Sequence, residues 1–282
     1  MTRREAIPII VGVGIGVAIL LIFLFGPLKS SYQDSPFGNY IALIEVKGEI
    51  KKSEDIVKQL KRYSKDSRVR GILLRIDSPG GRVSASQEIY SELKRIKRKK
   101  KIAVSMGGLA TSGGYYISLP ADIIVANPGT ITGSIGVIMS FPIVEKLFKK
   151  WGIEVEAIKS REHKDIGSPF RPITEEERRL LSEVIGDVYD QFVEAVVENR
   201  NLPKEKVLKI ADGRIFSGRQ AKRLGLIDTL GSFEDAIRIL AKEVGIKGEP
   251  KIIKKRRRIS LFRRLLEGIE DYLIPKLKYS IY

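Results

Sequence analysis

The chain has 282 residues, room for one sizeable domain with appendages, and its 43% hydrophobic and 30% charged residues exclude disorder throughout. The absence of cysteine excludes disulfides, thiol nucleophiles and cysteine metal sites, and a single histidine, His163, excludes a histidine-rich metal centre. A formal net charge of +17 leaves nucleic acid, an anionic membrane surface and acidic proteins open as partners.

From Ile7 to Leu28 runs IPIIVGVGIGVAILLIFLFGPL, 22 residues without a charge. At about 1.5 Å per residue a helix of that length covers roughly 33 Å, the thickness of a hydrocarbon core. Arg3 and Arg4 precede it, so the positive-inside rule puts the amino terminus in the cytoplasm and the following domain on the far side of the cell membrane. A cleaved signal peptide has a shorter apolar core and a small-x-small site, and LFGPLKSSY offers no clear one. Residues 1–28 are therefore expected to be a single-pass transmembrane anchor, and the polar residues 29–39 a linker.

Strand and helix patterns then alternate. Tyr40–Val46 is apolar and β-branched and predicts a strand. Ser53 is placed to cap a helix reaching Lys65, with Ile56, Val57 and Leu60 on one face. Gly71–Ile76 is a nearly continuous apolar run, as in a sheet buried on both faces. A turn at Asp77–Gly81 leads to a helix over Ser84–Lys99, and Ile102–Ser105 predicts a short strand. A helix follows near Ser112–Leu119, with strands at Asp122–Ala126 and Ile153–Ile158. Thr174 opens a long amphipathic helix to Asn199, with Glu175, Glu176 and Glu177 in its first turn. Helices near Lys204–Ala211, Ser217–Leu224 and Phe233–Val244 complete a layered α/β domain over residues 40–248.

Three segments carry chemistry. In MGGLATSGGYY, Ser112 sits between a strand and a helix among Gly107, Gly108, Gly113 and Gly114. Such a turn folds sharply and presents a hydroxyl where free helix N–H groups can hold an oxyanion. In IDSPGG, Ile76–Gly81, two glycines after a proline expose further backbone N–H groups at a strand's carboxyl end. In KSREHKDIGSPFRP, Lys159–Pro172, a polar loop holds two lysines and the only histidine. Taken singly, each segment also fits a structural role: a helix cap, a tight turn, a solvated loop.

IDSPGG, ATSGGYY, TGSIGV (Thr132–Val137), KSREHKDIGSPFRPIT and DGRIFSGRQAKRLGLIDTLGS (Asp212–Ser232), in this order, resemble the signal peptide peptidase A family over residues 40–245. The resemblance implies a Clp protease/crotonase-like α/β fold and a membrane-bound serine peptidase using a Ser–Lys dyad without a cofactor or metal. It implies Ser112 as nucleophile, Lys164 rather than Lys159 as general base, and Gly113 with Gly81, in preference to Gly80, as oxyanion hole. Ser134 then orients the lysine amine. The backbone of Arg82, Ile135, Gly136 and Val137 edges a groove for extended peptides. It further implies several copies assembled into a bowl, with remnant signal peptides and other unfolded or membrane-released segments as substrates.

A serine needs a base, and an exposed lysine near pKa 10.4 is too fully charged to act as one; burial disfavours the ammonium. Ile135, Val137, Ile166 and Phe170 are expected to supply that burial when chains assemble. His163 remains a rival base. Other classes stay open: a non-catalytic membrane scaffold or binding module of the same fold, acyl-CoA chemistry, and nucleic-acid binding. The last is disfavoured because the basic runs lack interleaved aromatics. One such run, Lys94–Lys101, fits a helix end favourable to the dipole. In the tail, residues 249–282, Lys251–Tyr282 carries ten basic against three acidic residues, and Leu261, Leu265, Ile269 and Leu273 recur at i, i+4. A membrane-surface helix, packing on a neighbouring subunit and a solvated extension all suit it.

Overall fold

The computed structural model describes residues 40–255. The expected anchor, the linker and the tail beyond residue 255 lie outside the described residues, among which no helix is long and apolar enough to cross a membrane.

The core is a parallel sheet. Strand β1 (Tyr40–Lys47) pairs with β2 (Val69–Ser78), and β2 with β3 (Lys101–Thr111). The connections are helices α1 (Glu54–Lys65) and α2 (Val83–Ile96), as parallel neighbours require. Both helix predictions hold, but Ser53 makes no cap bond; its hydroxyl goes to the Glu88 carboxylate of α2. The short helix α3 (Gly113–Ser118) follows β3, and β4 (Ile123–Ala126) returns to pair with it.

β3 runs well past the expected Ile102–Ser105. Its first half pairs with β4 and its last three residues, Leu109–Thr111, pair with β5 (Ile131–Gly133). The glycines between them make the extension possible. A Cβ on Gly107 would lie 2.9 Å from the Asp77 side chain, whose Oδ1 accepts the Leu109 N–H at 3.1 Å. The carboxylate thus pins the strand across its register shift with β2.

After β5 come α4 (Glu145–Lys150), a 3₁₀ turn at Glu162–Asp165, and the long helix α5 (Glu175–Arg200). α5 starts at the predicted cap: Thr174 Oγ1 accepts the Glu177 N–H while the Glu177 carboxylate accepts the Thr174 N–H. Then follow α6 (Lys204–Leu208), β6 (Ile215–Ser217), α7 (Gly218–Leu224), β7 (Thr229–Leu230), α8 (Phe233–Glu243) and β8 (Lys251–Lys254). The order is β6-β5-β3-β2-β1-β8, with β4 paired to β3 and β7 to β4, and β6 running antiparallel to β5. Lys251–Lys254, the first part of the expected tail, therefore forms an edge strand on β1.

Alternate residues of each strand feed opposite faces. Ala42, Ile44, Ile72, Leu74 and Val104 pack with α1, α2, α3 and α5, while Ile41, Leu43, Leu73 and Ala103 pack with Ile237 and Leu240 of α8. Gly71 lets α8 approach closely, since a Cβ there would meet Leu240 at 3.0 Å.

The strand expected at Ile153–Ile158 is absent. The segment is irregular and exposed, Ile158 98% so. Its alternating pattern has no strand beside it among the described residues, and a strand forms only with a ladder partner.

Candidate active site

Ser112 stands at the junction of β3 and α3 with φ 51° and ψ −122°. Its N–H donates to the Gly133 carbonyl at 2.9 Å, and its carbonyl accepts the Tyr116 N–H at 2.8 Å. Both backbone groups are thus engaged, and the half-buried side chain is what the turn presents. A left-handed non-glycine residue costs about 1–3 kcal/mol, a strain the surroundings must hold. They do so through α3: Tyr115 is buried and donates its hydroxyl to the Leu226 carbonyl at 2.9 Å. Tyr116 packs edge-on against Phe192, ring centroids 5.0 Å apart, and burial pushes its phenol up to about 12.

The IDSPGG loop closes over this junction because it lacks side chains there. A Cβ on Gly80 would fall 2.7 Å from the Gly113 nitrogen, and the Cβ position of Gly113 is 3.3 Å from the Gly81 nitrogen. Ile50 fixes the loop from outside, its N–H donating to Gly80 O at 2.7 Å and its carbonyl accepting Arg82 N–H at 2.9 Å. Gly80 spends its own N–H on Ser78 Oγ at 3.1 Å. The N–H groups of Gly81 and Gly113 have no acceptor among the described residues. Two unspent donors beside a hydroxyl are what an oxyanion hole needs.

Two clefts meet at Ser112. The smaller, about 100 Å³, is lined by Gly81, Gly113, Val83, Tyr116, Val188 and Phe192 among others. The larger, about 650 Å³, joins Ser112 to Ser134 and the α5 residues Ser182, Ile185 and Tyr189. Gly136 and Val137 line both. Ser134, like Ser112, is left-handed (φ 52°), held by its N–H to Arg214 O at 2.9 Å. Ile135 is fully buried, and its carbonyl accepts the Gly213 N–H at 3.1 Å. Arg82 lines neither cleft; its amide serves Ile50 and its carbonyl the Ser86 N–H.

Lys164 lies on the exposed 3₁₀ turn and lines neither cleft. Its ammonium has no hydrogen bond or ion pair among the described residues, whereas Lys159 is committed to Asp165 at 2.8 Å and to the Glu162 carbonyl at 3.1 Å. His163 is also outside both clefts, with Nε2 3.9 Å from the Glu176 carboxylate. Ile166 and Phe170 are half-buried beside it and do not reach Ser112.

Arg171 clamps this loop onto α5, donating to Asp165 at 2.8 Å and to Glu177 Oε2 at 2.8 Å. The guanidinium holds the Asp165 carboxyl well below the usual range, and with the Thr174 backbone it lowers Glu177 from 4.5 to about 2. A depressed carboxylate stabilises the fold fully above its unfolded value and loses that contribution as pH falls through the folded one. Thermal melts from pH 5 to pH 2 are therefore expected to fall more steeply for wild type than for Arg171→Met, the two converging between 4.5 and about 2.

The sequence pointed to Ser112, Gly81, Gly113, Ser134, Gly136 and Val137, and the fold brings all six to one place. It gave no sign of Val188 and Phe192, which reach the site from a helix more than seventy residues on; as apolar residues of an amphipathic helix they carry no local signal.

Residues 94–247 match the sequence profile of Peptidase family S49, and residues 39–125 that of Clp protease. The chain is 45% identical over 190 residues to a Methanocaldococcus jannaschii chain named as a protease, covering 67% of this chain and 61% of that one. It is 46% identical over 208 residues to a Synechocystis chain named as a protease, covering 73% and 75%. An Enterococcus faecium chain named as signal peptide peptidase SppA is 41% identical over 191 residues, covering 67% and 56%. The stretch aligned with the first and third thus spans less than two thirds of their own length. With a profile covering more than half of its residues, the chain belongs to peptidase family S49, a family of serine peptidases, on a Clp protease-like α/β fold.

Proposed function

We propose that this chain is a serine endopeptidase in which Ser112 is the nucleophile and Lys164 the general base. The observation that carries the reading is the strained Ser112 turn with the two unspent N–H groups of Gly81 and Gly113 beside it. Ser112 Oγ attacks the scissile carbonyl and its proton passes to the neutral Lys164 amine. The carbonyl oxygen, now negative, rests on the two amides; the leaving amine takes the proton from Lys164, leaving an acyl-enzyme. A water then gives a proton to the same amine and attacks the ester, releasing the acid and restoring Ser112. Ser134 orients the amine from the shared cleft. The substrates are extended segments, remnant signal peptides and other unfolded or membrane-released chains. Residues 1–28 hold the enzyme to the membrane with its catalytic domain outside the cytoplasm.

The dyad closes between copies of the chain. Within one chain Lys164 is exposed and lies outside both clefts. Between the site and Lys164, the chain exposes Ile138 (84%), Trp151 (65%) and Ile158 (98%), together with the unpaired alternating segment Ile153–Ile158. Exposed apolar surface of this extent supports burial against a second copy, which also desolvates the amine. Mixing inactive Ser112→Ala with inactive Lys164→Ala tests this. Random assembly restores activity at about a quarter of the sites when the dyad spans two copies. If each chain supplied its own lysine, every site in the mixture would lack one group and stay silent.

A further inference from the structure

Ser86, in the first turn of α2, is 3% exposed, and its hydroxyl oxygen is buried without a hydrogen-bond partner among the described residues. Leaving a buried hydroxyl unpaired is costly, and alanine is the better helix former at such a position. Helix packing therefore gives no account of this serine. Its surroundings do. Ser86 lines the smaller cleft, and its Oγ lies 2.5 Å from the point a Cβ of Gly113 would occupy, on the side of Gly113 that also faces the Gly81 nitrogen. Besides Ser112 and the Tyr116 phenol, the rest of that cleft offers few polar groups. Val83, Val137, Ile138, Val188 and Phe192 are apolar, and Gln87 spends its amide on Gln191 at 2.7 Å.

Resting on Ser112 as nucleophile and on the two amides, bond connectivity says what enters. The attacked carbonyl carbon is bonded to Ser112 Oγ while its oxygen sits on Gly81 and Gly113. The Cα of that acyl residue is one bond away, so its side chain starts beside the cleft that carries both amides. At about 100 Å³ this cleft is smaller than the roughly 150 Å³ cavity that takes a benzene ring, which favours small side chains. We propose that Ser86 is a specificity residue: its hydroxyl bonds the hydroxyl of a serine side chain at the acyl position, so the enzyme cleaves after serine in preference to alanine. An alanine there fits but leaves Ser86 unpaired, and a site built for a hydroxyl penalises a substrate without one.

Three peptides differing only at the acyl position, serine, alanine and 2-aminobutyrate, test this with the full chain. Wild type is expected to favour serine over both others by about fivefold in kcat/KM. Ser86→Ala brings the three to within about twofold of one another. Ratios taken within one preparation cancel any difference in the folded fraction. A wild type without the serine preference, or a preference that survives Ser86→Ala, overturns the assignment. Labelling of Ser112 by a fluorophosphonate separates the two readings. Labelled enzyme without the preference sinks the Ser86 assignment alone. Enzyme that neither labels nor cleaves sinks the nucleophile reading and this one with it.

Discussion

Ser112→Ala is expected to lower kcat/KM on an unfolded polypeptide by at least about 10³-fold, and Lys164→Ala by as much, with the double variant no worse than either. The two act as a unit: without the base the hydroxyl is not a nucleophile, and without the hydroxyl the base has nothing to deprotonate. His163→Ala is expected to stay within about threefold of wild type, because His163 Nε2 faces the Glu176 carboxylate at 3.9 Å. The measurement is cleavage of a fluorogenic peptide from pH 5 to 10 for wild type and the four variants. A lysine base must lose its proton first, so wild-type activity rises toward alkaline pH. Activity that survives Lys164→Ala and dies with His163→Ala reverses the roles.

The second large effect is expected at Gly81. A Cβ there would stand 2.3 Å from the Ile50 carbonyl oxygen and 2.6 Å from its nitrogen, and no side-chain rotation relieves a clash with backbone. Its φ of 158° adds backbone strain to the clash. In Gly81→Ala the loop must pull away from Ile50, breaking the bonds that hold Gly80 and Arg82 and moving the Gly81 N–H off the oxyanion. Losing one oxyanion donor costs about 10²–10³ in kcat. Gly129→Ala is the control, since nothing lies within 4 Å of its Cβ position. Equal kcat in the two variants, measured on protein of equal thermal stability, would remove Gly81 from the site.

Both predictions rest on residues that the sequence made visible, and the reason is local chemistry. Ser112 among glycines, two glycines after Pro79 and the Thr174–Glu177 capping box each solve a backbone problem within a few residues, so their patterns can be read from the chain. Gly71–Ile76 is visible for a similar reason, because burial on both faces leaves an unbroken apolar run. The misses are all non-local. Ile153–Ile158 alternates like a strand, but no strand stands beside it. β3 extends through Gly107 and Gly108 only because the Asp77 carboxylate waits across the sheet. β5, β6 and β7 are two or three residues long and exist by pairing. Ser86 reads as an ordinary helix residue until Gly113 is found beside its hydroxyl. Lys164 is the reverse case: the motif names it, and the single chain leaves it away from Ser112.

β8 pairs with β1, yet it is made about two hundred residues later. Until it arrives, the outer edge of β1 keeps its N–H and C=O groups open. The side chains of Ile41 and Leu43 also wait for α8. At roughly 5–20 residues per second of synthesis, that interval runs to tens of seconds. An open edge carrying apolar residues is a template for pairing with another chain. The nascent domain is therefore most exposed to misassembly while its catalytic turn is already complete in sequence, and the last strand to be made closes that window.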